Sequence, residues 1–164
     1  MTLEIQSSSP ADTHRLGEAI GRILAGGEVI GLDGDLGAGK TCLVRGIAVG
    51  LDIDPDLVYS PTFTLVAEHT GRLHLNHVDL FRLADPISPE DAHEIGLDEY
   101  VASHGVTVIE WYEKLARSGG TIATLHVAIA VEGEERRSIR IEALEEGSFA
   151  LLGDIEAAAG GIRG

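Results

Sequence analysis

At 164 residues, with 44% hydrophobic and 24% charged residues, the chain has the size and balance of one globular domain with a sizeable core. A formal charge of −15 opposes independent gripping of a phosphate backbone, and no apolar run approaches the roughly 18 residues of a membrane span. The single cysteine excludes an internal disulfide, and the start MTLEIQSSSP lacks the character of a secretory signal, so a cytoplasmic location is expected.

In chain order, Leu3 to Gln6 reads as a short strand. A helix start follows, with Ser9 as N-cap, Pro10 at the first position and Asp12 in the first turn. Leu16, Ala19, Ile20, Ile23 and Leu24 recur at helical spacing until Gly26-Gly27. Val29 to Leu32 is a continuous apolar run, the signature of a strand buried on both faces. A helix is expected from about Lys40 to Gly50. Thr62 to Glu68 and Arg72 to Leu80 read as a hairpin turning at HTG. Short helices are expected between Phe81 and Ser103, punctuated by Pro86, Pro89 and Gly96. Val106 to Trp111 reads as another buried strand, and Thr121 to Val131 and Ser138 to Leu144 as an antiparallel pair. Residues 1–155 are expected to form one domain, with 156–164 a flexible tail ending in AAAGGIRG.

Between the second strand and second helix, GDLGAGKT (Gly34 to Thr41) fits G-x-x-x-x-G-K-[ST] in full. The glycines allow backbone angles that a Cβ would block. Amide groups of the loop and the helix start behind it form a nest for phosphate oxygens. Lys40, one of only two lysines, would reach the terminal phosphates, and Thr41 would ligate Mg²⁺. The expected nucleotide-binding segment comprises Leu36, Gly37, Ala38, Gly39, Lys40, Thr41 and Cys42. These segments predict a three-layer α/β fold of the P-loop NTPase type. Its central sheet would be mostly parallel, with antiparallel additions at the N-terminal, middle and C-terminal strands.

P-loop proteins usually take a second carboxylate from the end of a neighbouring strand to hold Mg²⁺ or its water, and two candidates stand at strand ends: Asp79 in LHLNHVDL and Glu110 in VTVIEW. His77 lies two residues before Asp79 and is expected beside it, solvated or hydrogen-bonded; the spacing of His69, His74 and His77 converges poorly on zinc. Pro61 holds Ser60 extended, so Ser60 and Thr62 offer hydroxyls ahead of a strand, either in an ordinary turn or in a phosphate-sensing segment. Arg136, Arg137 and Arg140 form the one dense basic cluster, which a small-molecule kinase could use as a lid. A regulatory GTPase is disfavoured because Asn76, the only asparagine, opens no N-K-x-D loop; a non-enzymatic nucleotide sensor is the remaining alternative.

GDLGAGKT, SPTFTL, HVDLFRL, IGLDEY and VIEW, in this order, resemble the TsaE family (formerly YjeE), P-loop ATPases of threonylcarbamoyladenosine formation in tRNA. The resemblance spans roughly residues 13 to 114. It implies ATP and Mg²⁺ as cofactors, Thr41 and Glu110 as metal ligands, and Lys40, Asp79 and Glu110 as catalytic groups. It further implies that Trp111 lies near the nucleotide, that Ser60 and Thr62 form a switch-like segment, and that Thr13 lies near the base or ribose. The implied partners are the TsaB and TsaD proteins, with tRNA reached only through them. Many members carry proline where this chain has Tyr112, and threonine where it has Cys42.

Overall fold

The computed structural model describes residues 1–119 and 121–162. One seven-stranded sheet organises it, built from β1 (Thr2–Ser7), β2 (Val29–Asp33), β3 (Val66–Thr70), β4 (His74–Asp79), β5 (Val106–Glu110), β6 (Leu125–Val131) and β7 (Arg137–Ala143). The spatial order is β1-β7-β6-β2-β5-β4-β3. The centre, β6-β2-β5-β4, is parallel, while β1, β7 and β3 add antiparallel at the two ends. Every residue of β2 and β5 is buried, the polar Asp33, Thr107 and Glu110 along with the apolar residues that make up the rest of each strand.

Helices α1 (Pro10–Ile23), α2 (Lys40–Gly50) and α6 (Phe149–Ala159) cover one face through Leu16, Ile20, Leu43, Ile47 and Ile155. The other face is covered by α3 (Pro89–Ile95), α4 (Leu97–Val101) and α5 (Glu113–Ala116), with Leu97, Tyr112 and Leu115 inside. The Ser9 hydroxyl accepts from the Asp12 amide, so the expected cap of α1 forms. Contact between α1 and α2 is backbone on backbone. A Cβ on Gly17 would run into the Leu43 carbonyl oxygen, and one on Gly46 into that of His14. This close approach fixes the start of α2 against the start of α1.

Three expectations change. The expected strand at Thr62 begins only at Val66. Residues 62–65 turn instead, with the Leu65 amide bonded to the Pro61 carbonyl at 2.7 Å and Leu65 at φ +68°, outside any sheet ladder. The hairpin consequently turns at 71–73 rather than at HTG. The expected tail is helical through Ala159, and Ile155, Ala159 and Ile162 are buried against the α1 face; Arg163 and Gly164 lie outside the described residues. Among the described residues, no helix is long and apolar enough to cross a membrane.

Candidate nucleotide site

The chain leaves β2 through the loop at residues 34–39 and enters α2 at Lys40. Gly39 caps α2 with φ +109°, a left-handed conformation that a side chain would strain. The helix start thus opens onto a cavity of about 360 Å³. Leu36, Gly37, Gly39, Lys40, Thr41, Cys42, Ser60, Thr62, Asp79, Glu110 and Trp111 all line it, with Phe81. Eleven expected site residues from four sequence segments therefore converge.

The convergence follows from register. Asp79 and Glu110 are paired positions on the adjacent parallel strands β4 and β5, so their carboxylates project side by side, each 2% exposed. Asp79 is held by the Thr62 hydroxyl at 3.1 Å and the Phe81 amide at 2.9 Å. Glu110 accepts from the Ser60 hydroxyl at 3.3 Å and from His77 Nε2 at 2.5 Å, through the same Oε2 atom. Thr41 in turn hydrogen-bonds to Ser60, so one serine hydroxyl lies between Thr41 and Glu110. His77 is fully buried on Glu110, not solvated beside Asp79, because Glu110 lies on the same sheet face of the neighbouring strand. Its bond to a carboxylate assigns the proton to Nε2, and Nδ1 is buried without a hydrogen-bond partner among the described residues.

Lys40 folds back onto the loop, donating to the Gly34 carbonyl and to that of Asp35 at 3.0 Å, with its ammonium 4.1 Å from the centre of the Trp111 ring. Burial holds the Lys40 pKa below the ordinary lysine value, opposed by Glu110, Asp79, Asp33 and Asp35. Burial likewise pushes the Cys42 thiol up, against Arg45, which argues for a packing role over a reactive one.

Trp111 turns the chain out of β5 at φ +61°, a conformation costing about 1–3 kcal/mol for a side chain of this kind, while its amide bonds the Leu32 carbonyl at 2.9 Å. Its ring packs against Phe81 at 5.2 Å. Tyr112, next in the chain, has φ −58°, within the range a proline imposes, so the backbone path is one that proline also permits. Its ring fills the space that a Cβ on Gly31 would need, and its hydroxyl accepts the Ile122 and Ala123 amides at 3.1 Å each.

Thr13 and Ala38 line a second, smaller cavity of about 130 Å³ behind the loop, with Pro10, Glu135 and Arg137. The Thr13 hydroxyl is engaged with buried Ser7 at 2.7 Å. From sequence alone, Phe81 and Glu135 carry no site role, and Arg137 only that of the arginine cluster; Phe81 stands in HVDLFRL, but only tertiary placement brings these side chains to the two cavities. Among the described residues, no cluster of three or more His, Cys, Asp or Glu side chains could hold a metal.

A mixed sheet with a parallel centre, and a glycine-rich loop leading from a central strand into a helix, define a P-loop α/β protein. The family model "Threonylcarbamoyl adenosine biosynthesis protein TsaE" matches residues 7–139. The tRNA threonylcarbamoyladenosine biosynthesis protein TsaE of Treponema pallidum is 45% identical over 135 residues, covering 82% of this chain and 96% of that protein. The protein of the same name from Bacillus subtilis is 34% identical, covering 87% and 86%. A crystal structure of Bacillus subtilis YdiB superposes with a TM-score of 0.77 at 28% identity, covering 96% of this chain and 95% of that one. The chain belongs to the TsaE family.

Proposed function

We propose that this protein is a Mg²⁺-dependent ATPase that supports a cytoplasmic TsaB–TsaD complex in the threonylcarbamoyl modification of adenosine in tRNA. The observation that carries the proposal is the meeting of Lys40, Thr41, Asp79 and Glu110 at one cavity mouth, on a chain of the TsaE family. The loop amides and the positive end of α2 suit the phosphates of ATP. Lys40 would exchange its Gly34 and Asp35 carbonyls for phosphate oxygens. Thr41 and Glu110 would hold Mg²⁺, which when bound neutralises phosphate charge. The fit is chemical: a hydroxyl and carboxylates are hard oxygen donors, and one buried lysine faces four acids. Mg²⁺ commonly takes one or two protein oxygens and completes its shell with phosphates and water, so a sparse donor set is adequate. Asp79, fixed by two donors, would orient the attacking water.

Slow hydrolysis by the isolated chain is expected. Arg45, Arg82 and Arg137 spend their guanidinium groups on the carbonyls of Val58, Phe63 and the phosphate loop, so none is poised as an arginine finger. The same bonds remove Arg137 from a kinase-like lid. The test measures phosphate release and ATP-dependent pull-down with purified TsaB and TsaD. Association that needs ATP, with a raised rate, is expected. An unchanged rate with no association would overturn the partner assignment.

A further inference from the structure

The guanidinium of Arg137 lies behind the phosphate loop, far from it in sequence and with its hydrogen bonds directed at main-chain carbonyls. Its Nε donates to the Ala38 carbonyl at 2.9 Å and its Nη2 to that of Gly37 at 3.4 Å. Its Nη1 gathers the carbonyls of Gly133, Glu134 and Arg136 at 3.0, 3.3 and 2.9 Å, all in the turn between β6 and β7. One side chain therefore ties the C-terminal hairpin to the loop that follows β2.

We propose that Arg137 is a positioning residue for the phosphate loop, setting the direction of its amides toward the β-phosphate of a bound nucleotide without touching the nucleotide itself. The proposal rests on the nucleotide-site assignment above. A peptide group is planar, and its C=O and the next residue's N–H point in opposite directions. Holding the Ala38 carbonyl outward therefore aims the Gly39 amide inward, toward the start of α2. Holding the Gly37 carbonyl fixes the next peptide back, whose amide closes the tight turn onto the Asp35 carbonyl at 3.0 Å. Glycine-rich backbone is the part of the chain with most conformations to lose, so an external clamp has most to contribute there. The planar fork also matters: carbonyls in two separate segments are reached by a guanidinium with five N–H groups in fixed directions, which a single ammonium cannot reproduce.

The test is equilibrium binding of ATP, ADP and AMP, read by Trp111 fluorescence, to the full chain and to Arg137→Lys, Arg137→Gln, Arg136→Gln and Lys40→Ala. The Lys variant keeps the charge and loses the fork. Both Arg137 variants are expected to lose about tenfold in ATP and ADP affinity, the usual scale for hydrogen bonds from a charged donor, with AMP affinity unchanged. The exposed side chain of Arg136 forms a 4.0 Å ion pair with Glu132, and its substitution, which leaves the main-chain carbonyl in place, should have no effect. An Arg137→Lys variant that binds all three nucleotides like the parent would overturn the positioning role. So would equal losses for ATP, ADP and AMP, which general loosening of the fold would produce. If Lys40→Ala left ATP affinity intact, the nucleotide-site assignment itself would fall; if Lys40→Ala weakened ATP and Arg137→Lys did not, only the Arg137 role would.

Discussion

The wall of the site formed by β4, β5 and α2 presents ionisable groups, whereas the wall behind the phosphate loop presents backbone held in place. On the first, Lys40, Asp79 and Glu110 are nearly enclosed; the two carboxylates are oriented by hydroxyls, an amide and the imidazole of His77, and Lys40 by the loop carbonyls of Gly34 and Asp35. On the second, Thr13 is engaged with Ser7, Ala38 gives its carbonyl to Arg137, and α1 meets α2 through glycines. The contrast separates two tasks: one wall supplies charge that can respond to a reacting phosphate, and the other supplies a fixed frame for the loop. Substitutions of the two carboxylates on the first wall should therefore fail in turnover, and substitutions on the second wall in stability or affinity.

The largest expected effect is on the charged wall. Glu110→Gln keeps the shape and removes the negative charge, and should lower ATP hydrolysis by ~10²-fold or more, the scale of losing one preorganised electrostatic group. Steady-state phosphate release checks it. On the frame wall, Gly46→Ala should destabilise the fold by about 1–3 kcal/mol through the clash with the His14 carbonyl, measured by urea unfolding. A folded Gly46→Ala variant with normal stability would mean that the helices separate easily and the frame is soft.

Two smaller effects sharpen the division. His77→Leu should lower hydrolysis by about tenfold through the loss of one charge-assisted hydrogen bond to Glu110, while His77→Gln, which keeps an N–H, should recover most of it. Equal loss in both variants would assign His77 to packing alone. The smallest effect concerns the start of α1. The Ser8 amide and the Arg15 guanidinium hold the Asp12 carboxyl below its ordinary value. A carboxyl lowered in the folded state adds stability that is present above its unfolded pKa of about 3.9 and is lost as pH falls through the folded value. The stability difference between the parent and Asp12→Asn should accordingly be constant near neutrality and shrink below about pH 4, as followed by denaturant unfolding at each pH.

Much of the charged wall was legible in the sequence because its signals are local. GDLGAGKT names its own residues, and Asp79 and Glu110 stand where apolar strands end. Their pairing across β4 and β5 was not legible, because register between distant strands leaves no local mark. That pairing is what sends His77 to Glu110 rather than toward solvent. Thr62 to Leu65 carries β-forming residues yet turns, since the Thr62 bond to Asp79 and the left-handed Leu65 are set by tertiary placement. The frame wall was the least readable. Gly17 and Gly46 look like weak helix residues until the two helices touch, and residues 156–159, expected as the start of a flexible tail, instead complete α6, with Ala159 buried in the same core cluster as the α1 residues. Tyr112 shows the converse: at a position where the resemblance implies proline in many members, it has a φ that proline would also allow and uses its ring against Gly31.

The most direct test of the account is the rate of ATP hydrolysis by Thr41→Ala and Asp79→Ala beside the parent protein, each with TsaB and TsaD present. A fall of ~10²-fold or more in both variants is predicted, because each removes one of the preorganised groups that meet at the cavity. Near-parental rates in both would contradict the assignment of this cavity as the hydrolytic site.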